Sequence, residues 1–117
     1  MTDEDSFHAN MDEYHQRAVA AQSKAAQAFG RLLNLAESRD SGQTRHIAQF
    51  LAATYNGSAF SFDLFELRVL DVVISDDMLC CLDALRWGRA DLYQLVPDGD
   101  KRMQAVIAHW GLQSTSI

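Results

Sequence analysis

"RVLDVVISDDMLCCLDALRWG", residues 68 to 88, decides whether this chain is all-helical or mixed. Its first half is rich in β-branched residues, which favour strands. A half-exposed strand alternates apolar and polar residues strictly, and a buried one does not carry a carboxylate such as Asp71 in its middle. The second half reads cleanly as helix. At 100° per residue, Met78, Cys81, Leu82 and Leu85 fall in one narrow arc, Cys80 points towards the sector of Ala84 and Trp87, and Gly88 ends the run. Ser75 is the expected N-cap, with Asp76 and Asp77 in a first turn where the helix dipole favours carboxylates. The stretch therefore predicts helix.

Working back from it, "FDLFEL" (62 to 67) is a second start signal: Asp63 caps, Glu66 sits at the reciprocal position, and Phe62 can staple onto Leu67. Before that, Asp40 and Gln43 have capping-box spacing, ahead of Ile47, Phe50, Leu51 and Tyr55 on one face. Asn56-Gly57 suits a left-handed C-terminal cap. Working forward, Asp91 and Gln94 again have capping-box spacing, and "VPDGD" (96 to 100) is a turn. Met103, Val106, Ile107 and Trp110 then recur at i, i+3, i+4, i+7. Gly111 closes that helix, with Leu112 placed for the hydrophobic contact of a Schellman cap. The tail at 113–117 is expected to fray.

The N-terminal third carries the most regular pattern. Phe7, Met11, Tyr14, Ala18, Ala21, Ala25, Ala28, Leu32 and Leu35 are spaced alternately by four and three, a heptad seam predicting one helix from about residue 4 to 37. Its length would be about 50 Å. Two arrangements satisfy the seam. The helix packs on its own domain, or its N-terminal half protrudes and pairs with a second copy or a partner through Met11, Tyr14, Ala18, Ala21, Ala25 and Ala28. The expected architecture is all-α: a single domain over 1–117, with a long alanine-rich helix at 1–38 and a compact bundle of four to five shorter helices at 40–112.

The chain has 117 residues, 48% of them hydrophobic, and a formal net charge of −6. That length is one domain and supports a core without cross-links. The acids are unevenly placed: Asp3, Glu4, Asp5, Asp12 and Glu13 stand in the first 13 residues with no base among them. Asp63, Glu66, Asp71, Asp76, Asp77 and Asp83 form a second run. Such a chain repels a phosphate backbone, which argues against general nucleic-acid binding. It can attract a basic protein surface. No apolar run reaches the ~18 residues of a membrane span. An acidic N-terminus without a signal-peptide pattern, and two adjacent cysteines that form no disulfide framework, point to a reducing cytosol.

No sequence pattern supplies catalysis or holds a cofactor. Cys80 and Cys81 lie among Asp76, Asp77 and Asp83, and carboxylates disfavour the thiolate that a nucleophile or metal ligand needs. Adjacent helical residues diverge by about 100°, so the pair cannot chelate one ion together. Sulfur in a core is the better reading, firmer for Cys81 than for Cys80. Glu4, His8, Asp12 and His15 share one helix face, and His and carboxylate at i, i+4 can hold a transition metal. A solvated polar face is the competing reading, because an exposed helix end offers no enclosing cavity. Asp98-Gly99-Asp100 lacks the later glutamate of a calcium loop.

"FLAATYNG" (50 to 57) and "FDLFELRVLDVVISDDMLCCL" (62 to 82) resemble a family of short bacterial proteins of unknown function from proteobacterial plasmids and integrative conjugative elements. The shared pattern is an F-L-x-x-x-Y-N-G helix end, then F-D-L-x-x-L, then a D-D-x-L helix, over roughly residues 44–85. The resemblance implies no catalytic residues. It implies a mobile-element setting, in which small acidic proteins block host defence. The expected function is thus a non-enzymatic interaction module that masks a host protein or ribonucleoprotein complex, of the anti-CRISPR or anti-restriction kind. Its acids Asp3, Glu4, Asp5, Asp12, Glu13, Asp76, Asp77 and Asp83 would make the contact. The alternative is a structural or regulatory homodimer assembled on the alanine seam.

Overall fold

The computed structural model describes the backbone of residues 3–114 and the side chains of 11–114. Four α-helices and two short 3₁₀ helices make up the fold: α1 (Asp3–Ser38), α2 (Gly42–Tyr55), η1 (Leu64–Val69), α3 (Val72–Trp87), η2 (Leu92–Leu95) and α4 (Gly99–His109). No strand occurs among the described residues. The β-branched run at 69–74 is divided between the end of η1, an extended link at Leu70 and Asp71, and the first turn of α3.

α1 is the spine, and it runs unbroken through Gly30. Its second half is surrounded: Ala25, Ala28, Phe29, Leu32, Leu33 and Ala36 are fully buried. α3 packs along it, and α2, η2 and α4 complete the enclosure. The alanines act as expected of small side chains, letting α3 approach closely. The first half leaves the bundle. Residues 11–17 are all exposed and burial begins at Ala18. The long dimension of 57 Å against 30 and 27 Å follows from this stem. So does the radius of gyration, 16.3 Å, against ~13 Å for a compact domain of about 100 residues.

Several local signals act as predicted. Gly88 (φ 65°) and Gly111 (φ 61°) are left-handed caps. At the second, Leu112 N–H donates to Ile107 O (3.0 Å) and Gly111 N–H to Ala108 O (3.1 Å), the Schellman pattern. Both halves of the Asp91–Gln94 capping box are formed.

Others are corrected. α2 is capped by Ser41, which accepts from Thr44 N–H (3.2 Å). Asp40 instead meets His109 at 3.1 Å. Asn56 is extended (φ −150°) rather than left-handed, and its side-chain oxygen accepts from Ala59 N–H (3.2 Å) to hold the turn. Asp63 does cap, accepting from Phe65 N–H (2.9 Å). Phe62 packs edge-on against Phe50, with ring centroids 5.4 Å apart. Ser75 lies inside α3 and donates to Val72 O (3.0 Å). The helix starts four residues earlier than expected, with Asp71 in the N-cap position, so Asp76 and Asp77 are not in its first turn. The core arc of α3 is also turned: Met78, Cys81 and Ala84 are buried, whereas Leu82 is half-buried and Leu85 exposed.

Candidate interaction surface

Asp77 is the acid that the structure removes from the surface. It lies 400° along α3 from Cys81, hence only about 40° away in projection, which turns it inward. Arg31 of α1 meets it with both ends of its guanidinium, Nε to Oδ2 at 3.1 Å and Nη2 to Oδ1 at 2.8 Å. The contact favours the charged guanidinium and raises the Arg31 pKa. Asp77 therefore ties α3 to α1 and offers no carboxylate to a partner. Asp83 is exposed but engaged with Arg86 one turn on, at 2.7 Å. Asp76, Asp12 and Glu13 are exposed. The side chains of Asp3, Glu4 and Asp5 lie outside the described residues.

The seam is divided in the same way. Ala18, Ala21, Ala25 and Ala28 are buried within the chain's own fold and present no surface to a second copy. Met11 and Tyr14 are exposed on the stem. Of the candidate metal face, Glu4 and His8 lie outside the described side chains, and His15 Nδ1 sits 3.3 Å from Arg89 Nη1, a cation where a metal site would need a ligand. Among the described residues no three His, Cys, Asp or Glu side chains gather as a metal site would require.

Cys81 is fully buried, and burial first, then the charge of Asp77, pushes its thiol up to about 12 from an ordinary 9.0. Sulfur in the core is the outcome for this residue. A thiol reagent at pH 8 is expected to modify at most Cys80 in the folded protein and both cysteines in denaturant, as read by intact mass. The sign of the pH effect follows. The folded state holds the Cys81 proton that the unfolded state releases above pH 9, so this contribution is complete below pH 9 and is lost as pH rises towards 12. Cys81→Ala should flatten that alkaline decline.

The feature that sequence reading missed is apolar. Of seven large apolar side chains between positions 64 and 73, Leu67 is half-buried and Leu70 buried. Leu64, Phe65, Val69, Val72 and Val73 are 65 to 73% exposed. Scattered exposed leucines are ordinary, but five within ten residues are a local concentration of exposed apolar surface, a feature associated with interaction sites. η1 has no buried residue of its own. It is held by Leu67, which packs half-buried against the core, and by its flanks: Asp71 N–H donates to Gln43 Oε1 (2.9 Å), and Gln43 returns a longer bond to the Asp71 carboxylate (3.4 Å). Between those flanks His46 Nδ1 and Glu66 Oε2, both sealed from water, lie 2.7 Å apart. That approach satisfies the distance but not the direction of a hydrogen bond.

Beside the patch runs an open groove of about 270 Å³ between α2, the loop before η1, and α3, lined mainly by Phe50, Phe60, Phe62, Leu64, Leu82 and Leu85. A larger hollow of about 400 Å³ at the far side of α2 is polar, and Arg45, which lines it, already donates to Trp110 O (3.2 Å). Tyr55 and Asp100 join α2 to α4 through a hydrogen bond that raises the tyrosine pKa. Arg102 grips Glu37 (2.7 Å) and Asn34 (3.0 Å) from the other side of α4. These contacts brace the scaffold. On the apolar face of η1 and α3, Phe65 meets only the Arg68 guanidinium, 4.9 Å from its ring centroid, a local contact that ties no helix to another.

A helical scaffold with an uncovered apolar, acid-edged face defines the class as far as geometry carries it. The chain belongs to a family of unknown function (DUF7673), whose profile matches residues 26–111. The match extends beyond the 44–85 stretch that carried the resemblance, reaching into the buried half of α1 and through α4. No curated protein and no solved structure shows significant similarity to the chain. No helix among the described residues is long and apolar enough to cross a membrane.

Proposed function

We propose that this protein is a non-enzymatic docking module that binds another protein through the apolar face of η1 and α3. The observation that carries the reading is the exposure of Leu64, Phe65, Val69, Val72 and Val73 on an otherwise well-packed bundle. Placing five such side chains in water forgoes burial free energy of about 1.5–3 kcal/mol each, an arrangement that makes sense when a partner recovers it. In the mobile-element setting implied by the resemblance, that partner is a cytoplasmic host defence protein or ribonucleoprotein complex, and docking masks it. The acids act at the edges of the face rather than as its centre.

Exposure makes the test clean, because these side chains can be changed without opening the core. Tagged wild-type protein and a Leu64→Ser, Phe65→Ser, Val73→Ser variant are compared by capture from nuclease-treated host lysate, after the variant's melting temperature has been shown to match the wild type. A stoichiometric host protein retained by the wild type and lost by the variant is expected. Identical capture by both would place the contact elsewhere.

The self-assembling alternative rests on a narrower base, Met11 and Tyr14 on the stem. It requires a mass that rises with concentration in light scattering and falls back on Tyr14→Glu.

A further inference from the structure

We infer that the groove between α2 and α3 seats the apolar face of a basic amphipathic helix from the partner, an inference that rests on the docking reading above. Helix-in-groove recognition inserts side chains spaced i, i+3 or i+4, and i+7 into an apolar trough. Here the floor is aromatic, from Phe50 and Phe62, and the banks are Leu64 on one side and Leu82 and Leu85 on the other. Leu64 and Leu85 stand exposed at the rim. The hydroxyl of Thr54, within the same groove, is committed to Leu51 O at 2.7 Å. Ser61 supplies the one other hydroxyl on the lining, so the trough lacks the several convergent polar groups that orient a small ligand.

Charge selects among the macromolecular occupants. Residues 60–86 carry six acids and two bases. Asp77, Glu66 and Asp83 face Arg31, His46 and Arg86. Asp76 has no ion pair among the described residues, and Asp63 serves a backbone N–H at the groove edge. Asp76 and Asp83 lie on the outer ridge of α3, about 100–120° around the helix from Leu82, so a helix resting in the groove passes between that ridge and Asp63. Lysine or arginine on its flanks meets carboxylates on both banks. A second copy of this chain would bring the same acids face to face, which opposes it at neutral pH.

The test is selection of displayed, helix-forming peptides of about 16 residues against the whole protein, followed by affinity and amide-shift mapping of the winners. The expected peptides carry Leu, Phe or Met at i, i+4, i+7 with Lys or Arg on the flanks. Their shifts centre on 53–64 and 79–86. Leu64→Ser with Leu85→Ser weakens them by about tenfold or more, and Asp76→Lys, at an exposed carboxylate with no capping task, weakens them without altering the melting temperature. Winners without flanking bases, or winners that map away from the groove, overturn the inference. So does a wild-type mass that doubles with concentration and returns to monomer in the leucine variant, since the groove would then hold a second copy. If the inference fails while the Leu64, Phe65, Val73 variant still loses its host protein, the docking reading stands without it. If that capture is also unchanged, both fall.

Discussion

Alanine at position 99 is expected to leave this protein barely folded. A methyl group built on Gly99 would stand 1.7 Å from the Tyr93 carbonyl oxygen, 2.7 Å from its carbon and 3.1 Å from Val96 Cγ2. The backbone of Gly99 is not left-handed, so the demand for glycine here is one of space rather than of φ. Two of the three colliding atoms are backbone, and that backbone belongs to η2, which the Asp91–Gln94 capping box holds in place. Nothing at the collision can swing aside as a long side chain would. Overpacking usually costs 1–3 kcal/mol, and a backbone collision at a buried helix start belongs at or above the top of that range, about 3 kcal/mol or more. The melting temperature should fall by more than about 10 °C. Gly42→Ala is the matched control: the same methyl at the start of α2 meets nothing within 4 Å, so its melting temperature should hold or rise slightly. A Gly99→Ala protein that melts within about 2 °C of wild type would show that α4 does not press on η2 as described.

Local signals were legible in the sequence, and long-range ones were not. The bounds of α1, the caps at Gly88 and Gly111 and the Asp91–Gln94 box depend on residues within about five positions of one another. The misread caps have tertiary causes. Asp40 and Ser41 are neighbours with equal claims on α2, and Ser41 takes it while Asp40 meets His109, 69 residues away. Asp71 opens α3, yet its carboxylate turns to Gln43 rather than to its own helix. The position of Asp77 was within reach, because its helical phase beside Cys81 already marked it as inward-facing. Its partner Arg31, 46 residues away, left no local trace. The exposed apolar patch was hidden by the rule that finds cores. Nothing in the sequence marks Leu64, Phe65 and Val73 as outward, and a site that works by being apolar and outward is what that rule must miss.

The seam on α1 allows the sharpest choice between the two arrangements open from sequence. If its alanines faced a second copy, Ala25→Glu would separate the dimer and leave a folded monomer. In the structure Ala25 has no exposed surface and lies in the core that α1 and α3 share. A glutamate there adds four heavy atoms beyond Cβ to a position with no free space, and a carboxylate with no base beside it. Lys24 and Arg31 flank the position on exposed faces of the helix, and Arg31 is already committed to Asp77. Burying an unpaired charge and overfilling a close helix contact act in the same direction, and the loss should be about 4 kcal/mol or more. Urea titration by circular dichroism is expected to show an early or non-cooperative transition. Ala20→Glu, one turn back on the exposed face of the same helix, should stay within about 0.5 kcal/mol of wild type. A folded Ala25→Glu protein with the wild-type urea midpoint would mean that α3 does not lie on the alanines, and the seam would then be free to pair between chains. Because the two arrangements predict opposite fates for one substitution, its midpoint decides which surface α1 leaves for a partner.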